Sequence, residues 1–407
     1  MLTIDDTATL IEYRLVIPAH DVTCLSSAQG RILRILFVDS SRNGWGTEQH
    51  LVALAGALAD TGHFVSAVVK RGSPVAELLS LRGIRMHLTA FRGGADPRGV
   101  LTTMRAIRSD QPHWIVTNRG KLYWTLWVVA RLMGVQVALF RHLPDVRRWI
   151  TRCVLPRLVD RFFVVSEFSR ARLIAWGAPP DRLSVLYNPI NMGNLHCADA
   201  LRANTRRRLG IGAGDFVIGF VGRVELGKGI RVLWDAVAPL MWRLPHLRLL
   251  CVGDGPDLPR WRNEAETSEV GERCHFVGWA DKVDEFYSAM DILIAPSIAP
   301  ETFCRVVSEA QASRIAVIGS RMGGIPEAFD PGGSGLLVAP NDHRALQLAI
   351  RRLHDDDALR ARFAAAGQVY VRNHFAAHKI AADFIANLNQ RLDSPDAALD
   401  VPLKSAG

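Results

Sequence analysis

The chain has 407 residues, of which 49% are hydrophobic and 22% charged, and its formal net charge is +9. This length exceeds one ordinary core and predicts two domains, and the composition excludes a disordered chain. The excess of basic residues favours anionic partners such as nucleotides, nucleic acid or an acidic membrane surface. Six scattered cysteines without metal-ligand spacing predict reduced thiols, and no apolar run is long enough to span a membrane, so we expect a cytoplasmic protein.

Regular structure is expected to begin at Arg31, because residues 1–30 show no clear periodicity and no signal-peptide pattern and are interpreted as an N-terminal extension. The strand RILRILFVDS leads into a turn that contains Gly44 and Gly46, and a helix follows. A strand, a glycine turn and a helix open a Rossmann-like unit. The alternation of strands and helices continues, which predicts a parallel, doubly wound domain over residues 31–188.

The second half repeats this alternation, starting from the strand FVIGFVG, and predicts a second Rossmann-like domain over residues 189–374. The expected fold is therefore α/β, with two doubly wound domains facing across a cleft and ligands at the carboxyl ends of the strands. A helix within residues 375–393 can return to the first domain, and residues 394–407 are expected to form an unstructured tail.

The segment ETFCRVVSEA follows the strand-like run ILIAPS and carries apolar residues at helical spacing. Thr302 is expected to cap this helix, so that the amides of Phe303, Cys304 and Arg305 face a phosphate at its positive end. Glu301 lies just before the helix and Glu309 farther along it, a separation that suits a nucleotide-sugar. Glutamates are also common before and within surface helices, so a purely structural interpretation stays open at this point.

A glycine-rich loop, GRVELGKGI, follows the strand FVIGFV and brings Arg223 and Lys228 together. Two cations in one loop could neutralise a diphosphate leaving group in place of a metal, although a flexible loop with solvated basic residues is the alternative. The acidic run Asp355–Asp357 is interpreted as a solvated helix end and not as a metal motif. We therefore expect neither a metal nor another cofactor.

In their order and spacing, the segments GRVELGKG, CVGDG, FVGW, ETFCRVVSE and MGGIPEA resemble the retaining glycosyltransferases of family 4, which have the GT-B fold. The resemblance covers residues 31 to about 392. It implies transfer of a sugar, with retention, from a nucleotide-diphosphate-sugar to a saccharide or lipid-linked acceptor, as in the synthesis of lipopolysaccharide or another cell-envelope glycan. It also implies a front-face substitution, in which the departing β-phosphate takes the acceptor's proton, and no required metal.

The resemblance also implies roles for individual residues. Arg223 and Lys228 would hold the donor diphosphate, Glu301 the hydroxyls of the donor sugar, and Glu309 the ribose. Gly253, Asp254 and Gly255 would line the nucleotide, and Val277 the base. Gly44 and Gly46 would face the diphosphate and the acceptor, and His142 the C6 hydroxyl of the transferred sugar.

Several alternatives remain at this stage. The chain could be another GT-B enzyme, such as a sugar-nucleotide epimerase or a glycogen-synthase-like polymerase, or a nucleotide-sugar-binding subunit without turnover. Only the net charge suggests nucleic acid, which we do not expect as a partner. The segment with Trp124 and Trp127 and the basic run Arg147–Arg152 could form a face for anionic lipid at the inner side of the cytoplasmic membrane. Both tryptophans could equally pack in the core.

Overall fold

A computed structural model describes residues 31–42, 46–142, 148–194, 199–280, 282–330 and 333–392. Within these ranges the chain builds two parallel sheets with helices on both faces. Every helix in the same ranges is too short or too polar to cross a lipid bilayer.

The first sheet contains seven parallel strands in the order β3-β2-β1-β4-β5-β6-β7 among the described residues. The order reverses between β1 and β4, so the crevice at their carboxyl ends is the place where doubly wound sheets bind ligands. The strands are β1 Arg34–Asp39, β2 Phe64–Lys70, β3 Arg85–Thr89, β4 Trp114–Thr117, β5 Gln136–Arg141, β6 Arg161–Val164 and β7 Leu183–Val185.

The helices of this half cover the apolar faces of the sheet. Where helices begin, Ser73, Asp96 and Ser166 accept hydrogen bonds from backbone amides in the first turn, as N-caps do. The helices are α1 Gly46–Asp60, α2 Pro74–Leu81, α3 Pro97–Asp110, α4 Tyr123–Met133, α5 Leu155–Leu158 and α6 Glu167–Ala175. A π-helical turn at Ile150–Val154 precedes α5.

The second sheet has six parallel strands in the order β10-β9-β8-β11-β12-β13, with its reversal between β8 and β11. Its strands are β8 Phe216–Val221, β9 Leu247–Val252, β10 Cys274–Gly278, β11 Ile292–Ala295, β12 Ala316–Ser320 and β13 Gly335–Val338. Its helices are α7 Asp199–Arg208, α8 Ile230–Arg243, α9 Leu258–Glu266, α10 Val283–Ala289, α11 Arg305–Ala312, α12 His343–Asp355 and α13 Asp357–His374.

The last helix, α14 Ala377–Leu392, lies on the first sheet although it follows the second. Phe384 is fully buried there, with its ring 5.7 Å from Phe140 and 5.4 Å from Phe163. The returning chain meets the outgoing one, because the amide of Ile190 donates to the carbonyl of Phe375 at 2.7 Å. The two crossings thus form one paired connection between the domains.

The acidic run at the junction of α12 and α13 is a helix end, as predicted. Asp356 caps α13 and accepts a hydrogen bond from the amide of Leu359 at 2.8 Å. Asp355 and Asp357 are largely exposed on either side of it. The acidic run is therefore explained by the capping of α13.

Candidate active site

A cavity of about 230 Å³ lies between the carboxyl ends of the two sheets. The first half contributes the start of α1, the end of β5 and Asn188 of the crossover segment, and the second half contributes the loops after β8 and β11. Seven of the residues singled out from the sequence line it: Gly46, His142, Lys228, Glu301, Thr302, Phe303 and Cys304. The cavity therefore joins both predicted domains at the position expected for a doubly wound fold.

The central polar contact of the cavity joins Lys228 to Glu301, with Nζ 2.8 Å from Oε2. Burial by itself would lower the pKa of Lys228, but the carboxylates of Glu301 and Glu225 outweigh it and raise that pKa, so the ammonium stays charged. Ser297 donates to the other oxygen of Glu301. The site thus presents a fixed cation beside a carboxylate whose two oxygens are both anchored.

The close approach of Lys228 to this site depends on the glycine that follows it. Gly229 has a φ of 75°, and a Cβ there would lie 1.9 Å from the carbonyl oxygen of Pro296. Any other residue would push the lysine loop away from the end of β11.

The prediction that Thr302 caps the central helix is wrong. Helix α11 begins at Arg305 with Cys304 in the cap position, and Thr302 Oγ1 instead donates to the carbonyl of His142 at 2.7 Å, across the cleft. The amides of the first helical turn therefore start at Arg305 and are not those of Phe303 and Cys304, which were predicted to face a phosphate. Phe303 and Cys304 line the cavity, and both residues are buried.

The glycines of MGGIPEA explain why residues 301–304 do not join the helix. Gly324 donates its amide to the carbonyl of Glu301 at 2.7 Å. A Cβ on Gly323 would lie 2.3 Å from that same oxygen, and one on Gly324 would lie 2.1 Å from the carbonyl oxygen of Thr302. Two backbones pack directly against each other here, and this tertiary contact replaces the first helical turn.

Glu309 does not line the cavity. Its Oε1 accepts from Arg305 Nη2 at 3.0 Å and its Oε2 from the hydroxyl of Tyr287 at 3.0 Å. It lies four residues into α11, about 6 Å along the axis. Contact with a ribose remains a prediction for this residue.

The other predicted donor residues form a neighbouring group at the carboxyl ends of β8, β9 and β10, outside the cavity lining. Arg223 lies 3.2 Å from Glu225 and is about half exposed. A Cβ on Gly253 would lie 1.9 Å from the carbonyl oxygen of Gly222, so the loops after β8 and β9 are in direct backbone contact. Asp254, Gly255 and Val277 belong to the same group; the carbonyl of Asp254 accepts from the amide of Val224 at 3.0 Å.

The glycine turn of the first domain is described only in part. Gly44 falls in 43–45, outside the described residues. Gly46 begins α1, and a Cβ there would lie 3.7 Å from Arg305 Cδ, so α1 and α11 approach each other across the cleft. This places the start of α1 against the second domain.

His142 follows β5 and lies opposite Lys228 and Glu301 along the cavity wall. Its Nε2 is buried and has no hydrogen-bond partner among the described residues. Burial lowers the pKa of His142 well below its ordinary value, and the positive charges of Arg305, Arg141 and Arg119 lower it further, as would a proton on His50. The imidazole is therefore neutral and can hydrogen-bond to a hydroxyl.

Sequence reasoning missed two buried carboxylates between the end of β1 and the start of α1. Asp39, at the end of β1, and Glu48, in α1, are 1% and 3% exposed. Asp39 accepts from the amide and hydroxyl of Ser41, and Glu48 accepts from Arg119 Nη1 at 2.7 Å. Burial raises the pKa of both carboxyls. Neither lines the cavity, so these carboxylates serve the contacts with Ser41 and Arg119 and do not face the reacting atoms.

Sequence reasoning also missed the contact between Glu327 and helix α6 on the other domain. Glu327 Oε1 accepts from the amide of Phe168 at 2.7 Å and Oε2 from the amide of Glu167 at 2.8 Å. Tyr187 donates its hydroxyl to the same carboxylate at 3.0 Å. The contact ties the MGGIPEA loop of the second domain to the first.

Two parallel Rossmann-like sheets with facing carboxyl ends, bridged by a returning C-terminal helix, define the GT-B class of fold. Among solved structures, a glycosyltransferase from Rickettsia africae matches with a TM-score of 0.79 at 19% identity, over 89% of this chain and 99% of that one. Anabaena Alr3699/HepE, solved in complex with UDP and glucose, matches with a TM-score of 0.75 at 21% identity, over 88% of this chain and 99% of that one. At these identities the likeness shows the fold, and the predicted fold is confirmed.

Sequence comparison defines the family. The model described as Glycosyltransferase Family 4 matches residues 45–193, and that of Glycosyl transferases group 1 matches residues 202–369. D-inositol 3-phosphate glycosyltransferase of Corynebacterium glutamicum (strain R) is 36% identical over 315 residues, 70% of this chain and 73% of that protein. The protein of the same name from Corynebacterium efficiens is 35% identical over 327 residues, 73% of this chain and 74% of that protein. The chain belongs to the family 4 glycosyltransferases and is a glycosyltransferase enzyme.

Proposed function

We propose that this glycosyltransferase moves a sugar from a nucleotide-diphosphate-sugar to an acceptor hydroxyl, with retention of configuration. The observation that carries the proposal is the Lys228–Glu301 pair, held at 2.8 Å in a cavity whose opposite wall carries His142. A charged lysine near the start of α11 suits a diphosphate. A carboxylate and a neutral imidazole suit sugar hydroxyls.

The reaction we propose is the front-face substitution that the family resemblance implies. The bond between the sugar's C1 and the β-phosphate oxygen breaks while the acceptor oxygen bonds to C1 on the same face, and the released phosphate takes the acceptor's proton. Lys228 stabilises the negative charge that develops on the leaving diphosphate. Glu301 and His142 orient the sugar. Because the released phosphate takes the proton, this route needs no carboxylate as a base. The buried Asp39 and Glu48 are then not required for proton transfer.

We propose further that the acceptor carries a phosphate group. Two relatives are named for D-inositol 3-phosphate. In this chain, Arg119 follows β4 and Arg141 ends β5, and the charges of both act on His142. Both arginines lie behind the cavity lining, and Arg119 pairs with Glu48 at 2.7 Å, so they act on an acceptor through the positive potential of this wall, which favours an anion. The lipid-linked acceptors of cell-envelope glycan synthesis share this chemistry when the lipid is joined through phosphate.

A transfer assay tests these proposals together. Purified protein receives UDP-, GDP- or ADP-glucose, or a CMP-sugar that lacks the diphosphate, with a polyol phosphate, the free polyol or a lipid diphosphate as acceptor. We expect turnover with one diphosphate donor, favouring UDP as in the Anabaena complex, and a product with the donor's anomeric configuration by NMR. An inverted product would contradict retention, and equal rates with free and phosphorylated polyol would contradict the phosphate proposal.

We also propose that a surface on the first domain binds anionic membranes. Val128 and Leu132 of α4 are 46% and 74% exposed, and Trp149 and Ile150 are 58% and 47% exposed. Trp124 Nε1 donates to Thr151 Oγ1 at 3.2 Å, which holds the two segments side by side. Exposed Arg131 and Arg148 flank these apolar residues. Apolar side chains ringed by arginine match an anionic lipid surface.

The exposed surface does not consist of the two tryptophans named in the sequence analysis. Trp124 and Trp127 pack against the first-domain core, and Trp127 Nε1 donates to the carbonyl of Leu158 at 3.1 Å. In vesicle flotation, we expect the chain to float with anionic vesicles and less with neutral ones. The variant Trp149→Ala should lose binding and Trp242→Ala, an exposed tryptophan on α8, should keep it. Equal flotation of both variants would contradict the proposal.

A further inference from the structure

Behind His142 lies a second histidine that the proposed reaction does not use. His50, in α1, is 1% exposed. Its ring meets His142 edge to face, with centroids 4.6 Å apart and an interplanar angle of 77°, and its centroid lies 4.8 Å from that of Phe140. It does not belong to the cavity lining. Any effect of His50 on a bound sugar must therefore pass through a neighbour.

The protonation of His50 follows from its hydrogen bond. Nδ1 lies 2.9 Å from Asn188 Oδ1, an oxygen that can only accept, so Nδ1 carries the proton. Burial lowers the pKa of His50 to about 3. The hydrogen bond that His50 donates to Asn188 acts in the opposite direction but does not offset the effect of burial. Nε2 is then an unprotonated nitrogen, and it has no partner among the described residues.

Core packing does not explain this residue. A leucine or phenylalanine would fill the space between α1 and β5 without a buried, unpaired nitrogen, which costs free energy. The neighbouring core positions of α1, Leu51 and Leu54, are apolar. The polar ring is placed where it touches both His142 and the crossover residue Asn188.

A neutral ring at this position has a direct effect on His142. It fills the space behind the imidazole, keeps water away from it and limits its rotation. Protonation of either ring would bring a cation against the other and against Arg305, Arg141 and Arg119, whose charges act on His142. The pair is therefore stable only with both rings neutral.

We infer that His50 is a positioning residue for sugar transfer: packed against His142 and bonded to Asn188, it holds the His142 imidazole neutral and in one orientation toward the donor sugar. This inference rests on the proposed function. Asn188 lines the cavity and lies in the crossover segment, so the orientation of His142 is tied to the connection between the domains.

The kinetic test compares His50→Ala with Leu54→Ala, which opens a cavity in the same helix one turn farther along. We expect His50→Ala to lower kcat about tenfold or more while the Kd for UDP changes by less than about twofold. The double variant His50→Ala/His142→Ala should have a kcat within about twofold of that of His142→Ala alone, because His50 acts through His142. Leu54→Ala, which touches neither ring contact, should keep kcat at a temperature where it is folded. The inference would be overturned if the fold-losses in kcat of the two single variants multiplied in the double variant, or if Leu54→Ala lost as much kcat as His50→Ala.

A second measurement does not depend on turnover. In proton NMR, the Hε1 signal of His142 should not titrate between about pH 8 and pH 5.5 in the wild-type protein, and should begin to titrate within this range in His50→Ala, where water can reach the ring. An unchanged His142 titration in that variant would overturn the inference. If no donor is turned over by the wild-type chain while the NMR result holds, the proposed function fails and the control of His142 by His50 stands.

Discussion

The variant Lys228→Ala is expected to lower kcat/KM by roughly a hundred- to a thousandfold, the range found when a group that stabilises developing charge is removed. Lys228 is the cation of the cavity that contacts Glu301, and its raised pKa keeps it charged throughout the neutral range. Its removal also leaves Glu301, whose side chain is 13% exposed, without its counter-charge. An unpaired carboxylate would repel the diphosphate and add to the loss.

The controls separate charge from shape. Lys228→Arg keeps the charge but presents it as a planar fork and not as a compact ammonium, so it should recover only part of the rate. Arg231→Ala removes an exposed cation of α8 that pairs with Asp235, and should change kcat/KM by less than about twofold. The kcat/KM of all three variants is measured by steady-state kinetics with the donor that the wild-type enzyme uses. A folded Lys228→Ala enzyme with wild-type kcat/KM would exclude this lysine from the mechanism.

The alternation of strands and helices could be read from the sequence because it depends on local periodicity. Strands such as β1 and β8 are buried along nearly their whole length, so they appear as continuous apolar runs between glycine turns. The last helix was also visible, since it carries an amphipathic stripe. Its position on the first sheet depends on Phe384 packing against Phe140 and Phe163, which the stripe alone does not specify.

The candidate site could be predicted where residues follow a strand directly. His142, Lys228 and Glu301 come soon after β5, β8 and β11, and the carboxyl ends of parallel strands meet at one edge. Thr302 was placed wrongly because capping preference is local, whereas its hydroxyl bonds to the other domain. His50 lies within an apolar helical pattern and gives no local signal.

One contact between the domains that escaped prediction is also the one whose loss should most affect the closure of the cleft. Helix α6 has three amides in its first turn that need acceptors. Ser166 accepts from the third, Ser169, at 3.0 Å, and the carboxylate of Glu327 accepts from the first two. A residue of one domain thus completes the cap of a helix in the other, and its negative charge faces the positive helix end.

Glu327→Gln should therefore favour the open arrangement of the domains. Gln keeps the size of Glu but has one acceptor oxygen, and its amino group would face a backbone amide that also donates. The loss of one charge-assisted bond, with a clash of donors in its place, costs about 1.5–3 kcal/mol, or roughly 10- to 150-fold in the ratio of closed to open forms. We expect a larger radius of gyration in small-angle X-ray scattering and a weaker Kd for the donor. The neighbouring variant Glu167→Gln changes an exposed side chain and leaves the amide bonds intact, so it should match the wild-type protein in both measurements. A Glu327→Gln protein that has the wild-type radius and donor affinity would show that this carboxylate does not hold the domains together.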